Sequence, residues 1–316
     1  MGEVSGAVTA DELYERGNAW LAAGRPELAE CAFREAFGLH RSGRIGYRLG
    51  VSLLQQGRYE EGWPYFEHRS GVETVPLRAV SYPRWQGESV NGRAVLLWGE
   101  QGIGDEIQMA RFVPILKRRG ATRVTVACLA PNVRLFQLLG ADLVMERRGK
   151  LSIPQHDFWV PMLSLPHCLG VTISNLEGTP YLPGARGPRQ GWGVISRGNP
   201  RHEHDAERSI FDSVLAESIP GAVEISPIGD MIDALAQISQ LRGLVTVDTS
   251  WAHLAGAAGI PCHVLLSTKV PEWRWQAGAA STPWYKSLRL HWQTVPGSWR
   301  EPIASAASEV RTAQSV

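Results

Sequence analysis

Four stretches of this sequence carry residue types that can do chemistry. The first is WGEQGIGDEIQMAR, residues 98–111, which comes after a short apolar run at Ala94–Leu97. Gly99, Gly102 and Gly104 lead into Asp105, where a helix-like pattern opens. That order reads as strand, glycine-rich turn and helix N-terminus. Such a turn lets a ligand approach backbone N–H groups, and the helix dipole there favours negative charge. A P-loop would need Gly-Lys-Ser/Thr, and no Lys is present there. An ordinary turn with an Asp N-cap stands as the alternative to an anion cradle.

The second stretch is SRGNPRHEHDAERSI, residues 196–210, with Arg197, Arg201, Arg208, Asn199, His202 and His204. His-x-His followed by Asp205 resembles a metal set, but no third imidazole is near in sequence, so no metal site is expected. A cationic loop facing a phosphate or sugar is one reading, a solvated loop the other. The third is VDTSWAHLAGAAGIP, residues 247–261. An apolar strand runs into Asp248-Thr249-Ser250 at a helix start, an arrangement suited to a pyrophosphate and also to a plain N-cap. The small-residue helix AHLAGAAG permits close approach of a neighbour. The fourth is EWRWQAGAASTPWY, residues 272–285, where Trp273, Trp275 and Trp284 with Arg274 could stack on a base or sugar or could fill a core.

The elements that would position these groups can be read from pattern. GNAWLAAGRPELAECAF (17–33) aligns with GVSLLQQGRYEEGWPYF (50–66) at an offset of 33, pairing Gly17 with Gly50, Leu21 with Leu54, Gly24 with Gly57 and Phe33 with Phe66. Each unit reads as helix, Gly-Arg turn, helix, similar to tetratricopeptide repeats. Two units are fewer than the roughly three that stand alone. Residues 1–75 are therefore expected to pack on the next domain, either as a docking surface for a protein partner or only as a helical cap. Residues 71–92 read as a linker. Beyond it, strands are expected at Ala94–Trp98, Arg123–Cys128, Ala141–Met145 and Phe158–Val160, and helices at Asp105–Arg118 (with Pro114 kinking or ending it), Pro131–Leu139 and Leu163–Leu169. After a second linker, Gly184–Gly191, come strands at Gly193–Ser196, Ala222–Ser226, Leu244–Val247, Cys262–Leu266 and Ser287–Trp292. Their helices are Ile210–Glu217, Asp230–Leu241, Trp251–Ala258 capped by Gly259, and Glu301–Thr312. The fold class is α/β with an N-terminal all-α part: two Rossmann-like domains, 76–185 and 186–316, with a cleft at the carboxyl ends of their strands.

Composition narrows the function. The net charge of +1 argues against nucleic acid or an anionic membrane as the main partner. Twenty-eight of the 32 basic residues are arginine, suited to bidentate phosphate contacts, though a GC-rich genome gives the same bias. Cys31, Cys128, Cys168 and Cys262 form no CxxC and read as reduced, buried thiols. With no signal-like N-terminus and no apolar run near 18 residues, a soluble cytoplasmic protein without a transmembrane segment is the expectation.

Taken in order, LLWGEQGIGDEIQMARFVPILKRRGA, RGNPRHEHDAERSI, VTVDTSWAHLAGAAGIPCHVLL and EWRW…TPWYKSLRL resemble one family over nearly the whole chain. It is the group of bacterial tetratricopeptide-repeat proteins whose glycosyltransferase domain is similar to the ADP-heptose:lipopolysaccharide heptosyltransferases of glycosyltransferase family 9. The resemblance implies a GT-B fold and metal-independent, inverting transfer from a nucleotide-sugar donor, with no cofactor. It makes Asp105 the general base, with Gly102, Gly104 and Gln108 in the cleft turn. It places Asp248, Thr249, Ser250 and His253 at the donor diphosphate, and Asn199 and Arg208 facing the donor. The acceptor stays open: a glycan, a lipid-linked glycan, a protein or a small molecule. Two departures, Ser196-Arg197 in place of a Trp-Ala pair and a short piece between Arg208 and Asp230, favour an alternative. That alternative is a non-catalytic binding or scaffold protein on a degenerate transferase body. A third possibility is a GT-B enzyme with different chemistry.

Overall fold

The computed structural model describes residues 8–71, 81–149, 151–184, 189–225, 229–270 and 272–314. Helices α1 (Ala10–Ala22), α2 (Pro26–Leu39), α3 (Gly43–Gln55) and α4 (Tyr59–Phe66) form two antiparallel hairpins, closed by a 3₁₀ turn at Glu67–Gly71. Thr9 and Glu12 make a capping box that satisfies the first N–H groups of α1. The 33-residue offset is a physical equivalence. Gly24 and Gly57 take left-handed conformations (φ 67° and 74°) at the two turns. A Cβ on Gly17 would lie 2.5 Å from the Phe33 ring, and one on Gly50 2.5 Å from the Phe66 backbone. Each glycine therefore lets the two helices of its hairpin close.

These helices do pack against the α/β part of the chain. Trp63 donates its indole N–H to the Val171 carbonyl (2.8 Å), and Trp284 donates to the Tyr59 hydroxyl (2.8 Å). Arg69 and Glu100, both nearly inaccessible, form a bidentate ion pair that ties the 3₁₀ turn to the first sheet. Over its described residues the first linker is not free of structure: Trp85 is wholly buried and Arg84 bridges to Trp159. Residues 72–80 lie outside the described residues.

The first sheet comprises β1 (Ala94–Trp98), β2 (Arg123–Cys128), β3 (Leu143–Glu146) and β4 (Phe158–Pro161), all parallel, in the order β3-β2-β1-β4. Its helices are α5 (Ile103–Ala110), α6 (Phe112–Arg118), α7 (Val133–Gln137) and α8 (Leu165–Cys168). The single helix expected over 105–118 is broken at Arg111. Pro114 removes the N–H that would reach Ala110 and crowds that carbonyl, so the proline falls in the first turn of α6, where it is tolerated.

The second sheet comprises β5 (Trp192–Ile195), β6 (Ala222–Glu224), β7 (Gly243–Val247), β8 (Cys262–Leu266) and β9 (Leu288–Trp292), parallel, in the order β6-β5-β7-β8-β9. Its helices are α9 (Asp205–Arg208), α10 (Val214–Ser218), α11 (Met231–Ile238), α12 (Ser250–Ala258) and α13 (Arg300–Gln314). The helix expected from Ile210 starts only at Val214, and the loop before it contains the one-turn α9, which pattern does not suggest. Ser226 and residues 185–188 of the second linker lie outside the described residues. Gly259 caps α12 in the left-handed region (φ 67°) as its sequence implies. Cys31 is exposed, against the expectation of burial.

Both sheets reverse strand order beside their first strand, at β1 and at β5. In parallel α/β sheets ligands bind beyond the carboxyl ends of strands at such switch points. Those ends carry the Gly99–Asp105 turn, the 196–208 loop and Asp248–Ser250. The halves meet through α5 against α12 and α7 against α11, the latter bridged by Arg134 to Asp230 and Asp233. That bridge is exposed and contributes little.

Candidate functional site

The glycine turn after β1 is shaped from beneath. Glu106 is buried and accepts hydrogen bonds from the Leu129 N–H (2.9 Å), Asn132 Nδ2 (2.8 Å) and Arg147 Nε (2.9 Å). Burial raises its pKa, and these donors pull it back. A Cβ on Gly99 would sit 2.1 Å from the Glu106 carboxylate, so residue 99 must be glycine for Glu106 to lie there. With Glu106 turned inward, its neighbour Asp105 is left on the outer side of the turn. Asp105 is not the N-cap: Gly102 is, and Asp105 Oδ2 reaches back to accept the Gly102 N–H at 2.8 Å.

Gly104 sets the position of the second half. A Cβ there would meet His253 Cδ2 at 2.6 Å and Ser250 Cα at 3.2 Å. The start of α5 therefore touches the start of α12. Asp105 and the Thr249–Ser250 turn are thereby brought close to one another. The small residues of α12 also permit a second close approach, since a Cβ on Gly256 would lie 2.4 Å from the Tyr285 ring, in the segment before β9.

At the start of α12, Thr249 accepts from the Trp251 N–H at 3.3 Å and also contacts the Thr246 hydroxyl, while Ser250 opens the helix with its backbone N–H outside the helical ladder. His253 does not fit a phosphate-binding role. It is buried, contacts the Tyr285 hydroxyl through Nδ1 (3.0 Å) and stacks on Trp275 at 5.2 Å. Burial, then the charges of Arg274 and Arg111, hold its pKa well below the ordinary value. It is a neutral packing residue that supplies no charge to a diphosphate.

Trp273 and Trp275 are likewise corrected. Trp273 packs edge-on against Trp63, Phe66 and Trp284, and Trp275 is fully inaccessible against His253. Neither presents a ring face to a base or sugar. The aromatics of 272–285 fill the junction between the N-terminal helices and the second half.

The polar member of that segment is the one that reaches the site. Arg274, 4% exposed, donates Nε to Gln108 Oε1 (2.6 Å) and one terminal nitrogen to Glu272 Oε1 (2.7 Å), and it pairs its other terminal nitrogen with Asp105 Oδ1. Its planar group lies over the Trp273 ring at 4.5 Å. Burial alone would favour the neutral form, but Asp105 and Glu272 more than offset it and hold Arg274 charged. Sequence pattern puts Arg274 with the stacking aromatics. No local signal links it to a carboxylate 169 positions earlier.

Asp248 completes the cluster. Burial, reinforced by the charge of Glu272, pushes its pKa up to about 7, against the pull of Arg208 and Arg274. Arg208 reaches this place because the 196–210 loop folds back on itself. Ser209 Oγ donates to Asp205 Oδ1 (2.7 Å) and accepts from the Gly198 N–H (2.9 Å), and the Ile210 N–H bonds the Ser196 carbonyl (2.7 Å). The Nε of Arg208 is buried without a hydrogen-bond partner among the described residues, and no ion pair there involves Arg208. Asn199 is exposed and accepts the Arg201 N–H (3.0 Å) within the loop. His202 and His204 are exposed and gather no third ligand among the described residues.

A carboxyl with a raised pKa carries a sign. Asp248 favours its protonated form in the folded chain, so its contribution to stability is present below its unfolded value near pH 4. It is lost as pH rises through about 7. Asp248→Asn is expected to flatten the fall of Tm between pH 4 and 7, measured by thermal melts across that range. An unchanged slope would show that Asp248 does not titrate there.

The site thus gathers three carboxyl groups, two guanidinium groups and a helix N-terminus. A separate cavity of about 600 Å³, between α10 and α13 and lined by Ile210, Trp299, Ile303 and Arg300 among others, holds none of them.

Comparison with known proteins gives partial similarities. No family model matches the chain. A 91-residue part, 28% of this chain, is 30% identical to Protein FlbA of Caulobacter vibrioides and takes in only 15% of that protein's length. Among solved structures, the chain is similar to a glycosyl transferase family 9 protein of Veillonella parvula, with 10% identity, a TM-score of 0.44, and 73% of this chain and 91% of that chain covered. TibC of enterotoxigenic E. coli, an iron-containing dodecameric glycosyltransferase, shares 10% identity at a TM-score of 0.41 over 75% of this chain and 77% of its own. An O-GlcNAc transferase mutant of Thermobaculum terrenum shares 13% identity at a TM-score of 0.31 over 96% and 83%. These similarities fix neither an activity nor a substrate for this chain. No described helix is long and apolar enough to cross a membrane.

Proposed function

We propose that this protein is a glycosyltransferase that moves a sugar from a nucleotide-sugar donor to an acceptor hydroxyl. The observation that carries the reading is the convergence, at the switch points of two parallel sheets, of Asp105, an Arg208 Nε without a hydrogen-bond partner among the described residues, and the N-terminus of α12. In the proposed mechanism the acceptor hydroxyl gives its proton to Asp105 as its oxygen attacks the anomeric carbon. The bond from that carbon to the diphosphate breaks, and the diphosphate leaves with the electron pair. Arg208 and the N–H groups at Thr249–Ser250 stabilise the departing charge in place of a metal. Attack opposite the leaving group inverts the configuration. Donor sugar, nucleotide and acceptor are not specified by these residues. The helical hairpins are proposed as tetratricopeptide-like repeats, and their exposed Trp20 and Leu39 mark a candidate face for a protein partner.

One observation favours a second reading. Arg274 already occupies Asp105 Oδ1, and α5 is closed against α12. A body held shut in this way suits a non-catalytic binding or scaffold protein. A thermal-shift panel of nucleoside diphosphates and their sugars separates the two. In the transferase reading one nucleotide raises Tm by mass action, and Arg208→Ala abolishes the rise. No shift with any member of the panel would remove the transferase reading.

A further inference from the structure

Among the described residues, one trio of metal-ligating side chains lies together, and it is away from the cluster above. The ligand atoms of His263, His291 and Glu309 are all within 4.8 Å of one another. His263 is the second residue of β8 and His291 the fourth of β9. The register pairs His263 with Arg289 and Leu265 with His291, so the two histidines are diagonal neighbours on one face of the sheet. Leu265 packs there with Ile303, Ala306, Ala307 and Val310 of α13. It is the α13 face, whereas the residues that alternate with it, Val264 and Leu266, pack with α12.

The geometry points to a zinc site at this junction: we propose that His263 Nδ1, His291 Nε2 and Glu309 bind a zinc ion that fastens α13 to β8 and β9. The ring nitrogens are 2.9 Å apart, and Glu309 Oε2 is 3.8 Å from His263 Nδ1. Tetrahedral zinc, with Zn–N near 2.0–2.1 Å, sets neighbouring donors roughly 3.3–3.4 Å apart. The rings must part by about half an ångström, and Glu309 must close by a similar amount on His263 and by up to about 1.5 Å on His291. Glu309 is on the exposed side of the helix and free to do so. A water would take the fourth position.

A second observation is the contact behind the ligands. His291 Nδ1 lies 2.9 Å from Ser305 Oγ. Metal-bound histidines almost always donate their other N–H to an oxygen, which fixes the tautomer and the ring orientation. Ser305 and Glu309 are four residues apart, so one face of α13 supplies both the ligand and the orienting oxygen. The proton now shared between the rings needs no external acceptor. If it sits on His291 Nε2 it moves to Nδ1 and bonds Ser305; if on His263 Nδ1 it moves to Nε2. Both rings stay neutral, each offering one lone pair, and the carboxylate supplies the third ligand.

Zinc chloride is titrated by calorimetry into the full chain after chelator treatment and dialysis, and Tm is recorded with and without zinc. One equivalent is expected to bind and to raise Tm. Glu309→Gln is expected to weaken binding by tenfold or more, and Ser305→Ala by about tenfold. The double variant His202→Ala, His204→Ala, which removes the exposed histidine pair, is expected to leave it unchanged. Both α13 substitutions fall on a solvent-facing or edge position, so folding is retained for the comparison. Absence of saturable binding, or binding lost in the His202/His204 variant but kept in Glu309→Gln, would overturn the proposal. The test does not depend on the transferase reading.

Discussion

Arg274→Ala is expected to destabilise the protein by about 3–5 kcal/mol, read from urea unfolding. The side chain is almost inaccessible and spans both halves of the molecule, from Glu272 beside it to Asp105 and Gln108 on α5. Removing it leaves the inaccessible Gln108 amide oxygen and the Asp105 and Glu272 carboxylates, 19% and 23% exposed at their side chains, without the group that held them. Those unpartnered groups and the cavity left behind set the size of the effect, more than the loss of any one hydrogen bond. Arg274→Lys would not restore it, because one ammonium cannot serve three acceptors in the plane that the guanidinium fork spans. A double-mutant cycle with Asp105→Asn isolates the bridge. The pair together should cost clearly less than the sum of the singles, because either change already breaks the contact. A loss under about 1 kcal/mol for Arg274→Ala, within the range of a surface pair, would mean that the bridge does not hold the halves together.

Asp105→Asn is expected to lower turnover by about 10²–10⁴-fold, the range for removing a general base, once a nucleotide-sugar donor and an acceptor are in hand. The substitution is isosteric. Its amide oxygen can still accept the Gly102 N–H, so the turn should persist. Asp105 is 19% exposed at its side chain, enough for an acceptor hydroxyl to reach it beside Arg274. What the amide cannot do is take a proton. The nucleotide-dependent rise in Tm should survive, because the donor contacts proposed for Arg208 and Ser250 are untouched. Turnover retained in Asp105→Asn would exclude Asp105 as the base. Loss of both turnover and nucleotide binding would assign it to holding the site shut through Arg274.

The framework is legible in the sequence because short-range physics writes it. RVTVAC alternates and is rich in β-branched residues, and CHVLL is a short, mostly apolar run that starts right after Pro261; the observed β2 and β8 coincide with them. The repeat at an offset of 33 is readable because the same turn and the same glycine-mediated helix contact occur twice. Where pattern and structure differ, a local competitor wins. Pro114 splits a helix at Arg111, because the carbonyl of Ala110 four residues before it has no N–H to meet, and the bonds among Asp205, Ser209 and Gly198 wind the one-turn α9 where composition suggests only a loop.

The chemistry is legible only in part. Asp105, Asp248, Thr249 and Ser250 stand out because they lie at strand-to-helix turns, which pattern can locate. Trp273, Trp275 and His253 suggest a ligand by residue type, and the structure gives all three to packing. Residue type says that an indole can stack, but only tertiary contacts say on what.

By itself, the sequence determined which segments become strands and helices, that the strands form parallel sheets, and which turns carry carboxylates and hydroxyls. All of these depend on neighbours a few positions away. The tertiary structure decided which of those groups meet. Glycine at 104 lets α5 close on α12, and a guanidinium buried among tryptophans can stay charged only beside carboxylates, so Arg274 is drawn to an aspartate 169 residues away. Encounters of that kind depend on how two sheets dock, which no local pattern of residues records.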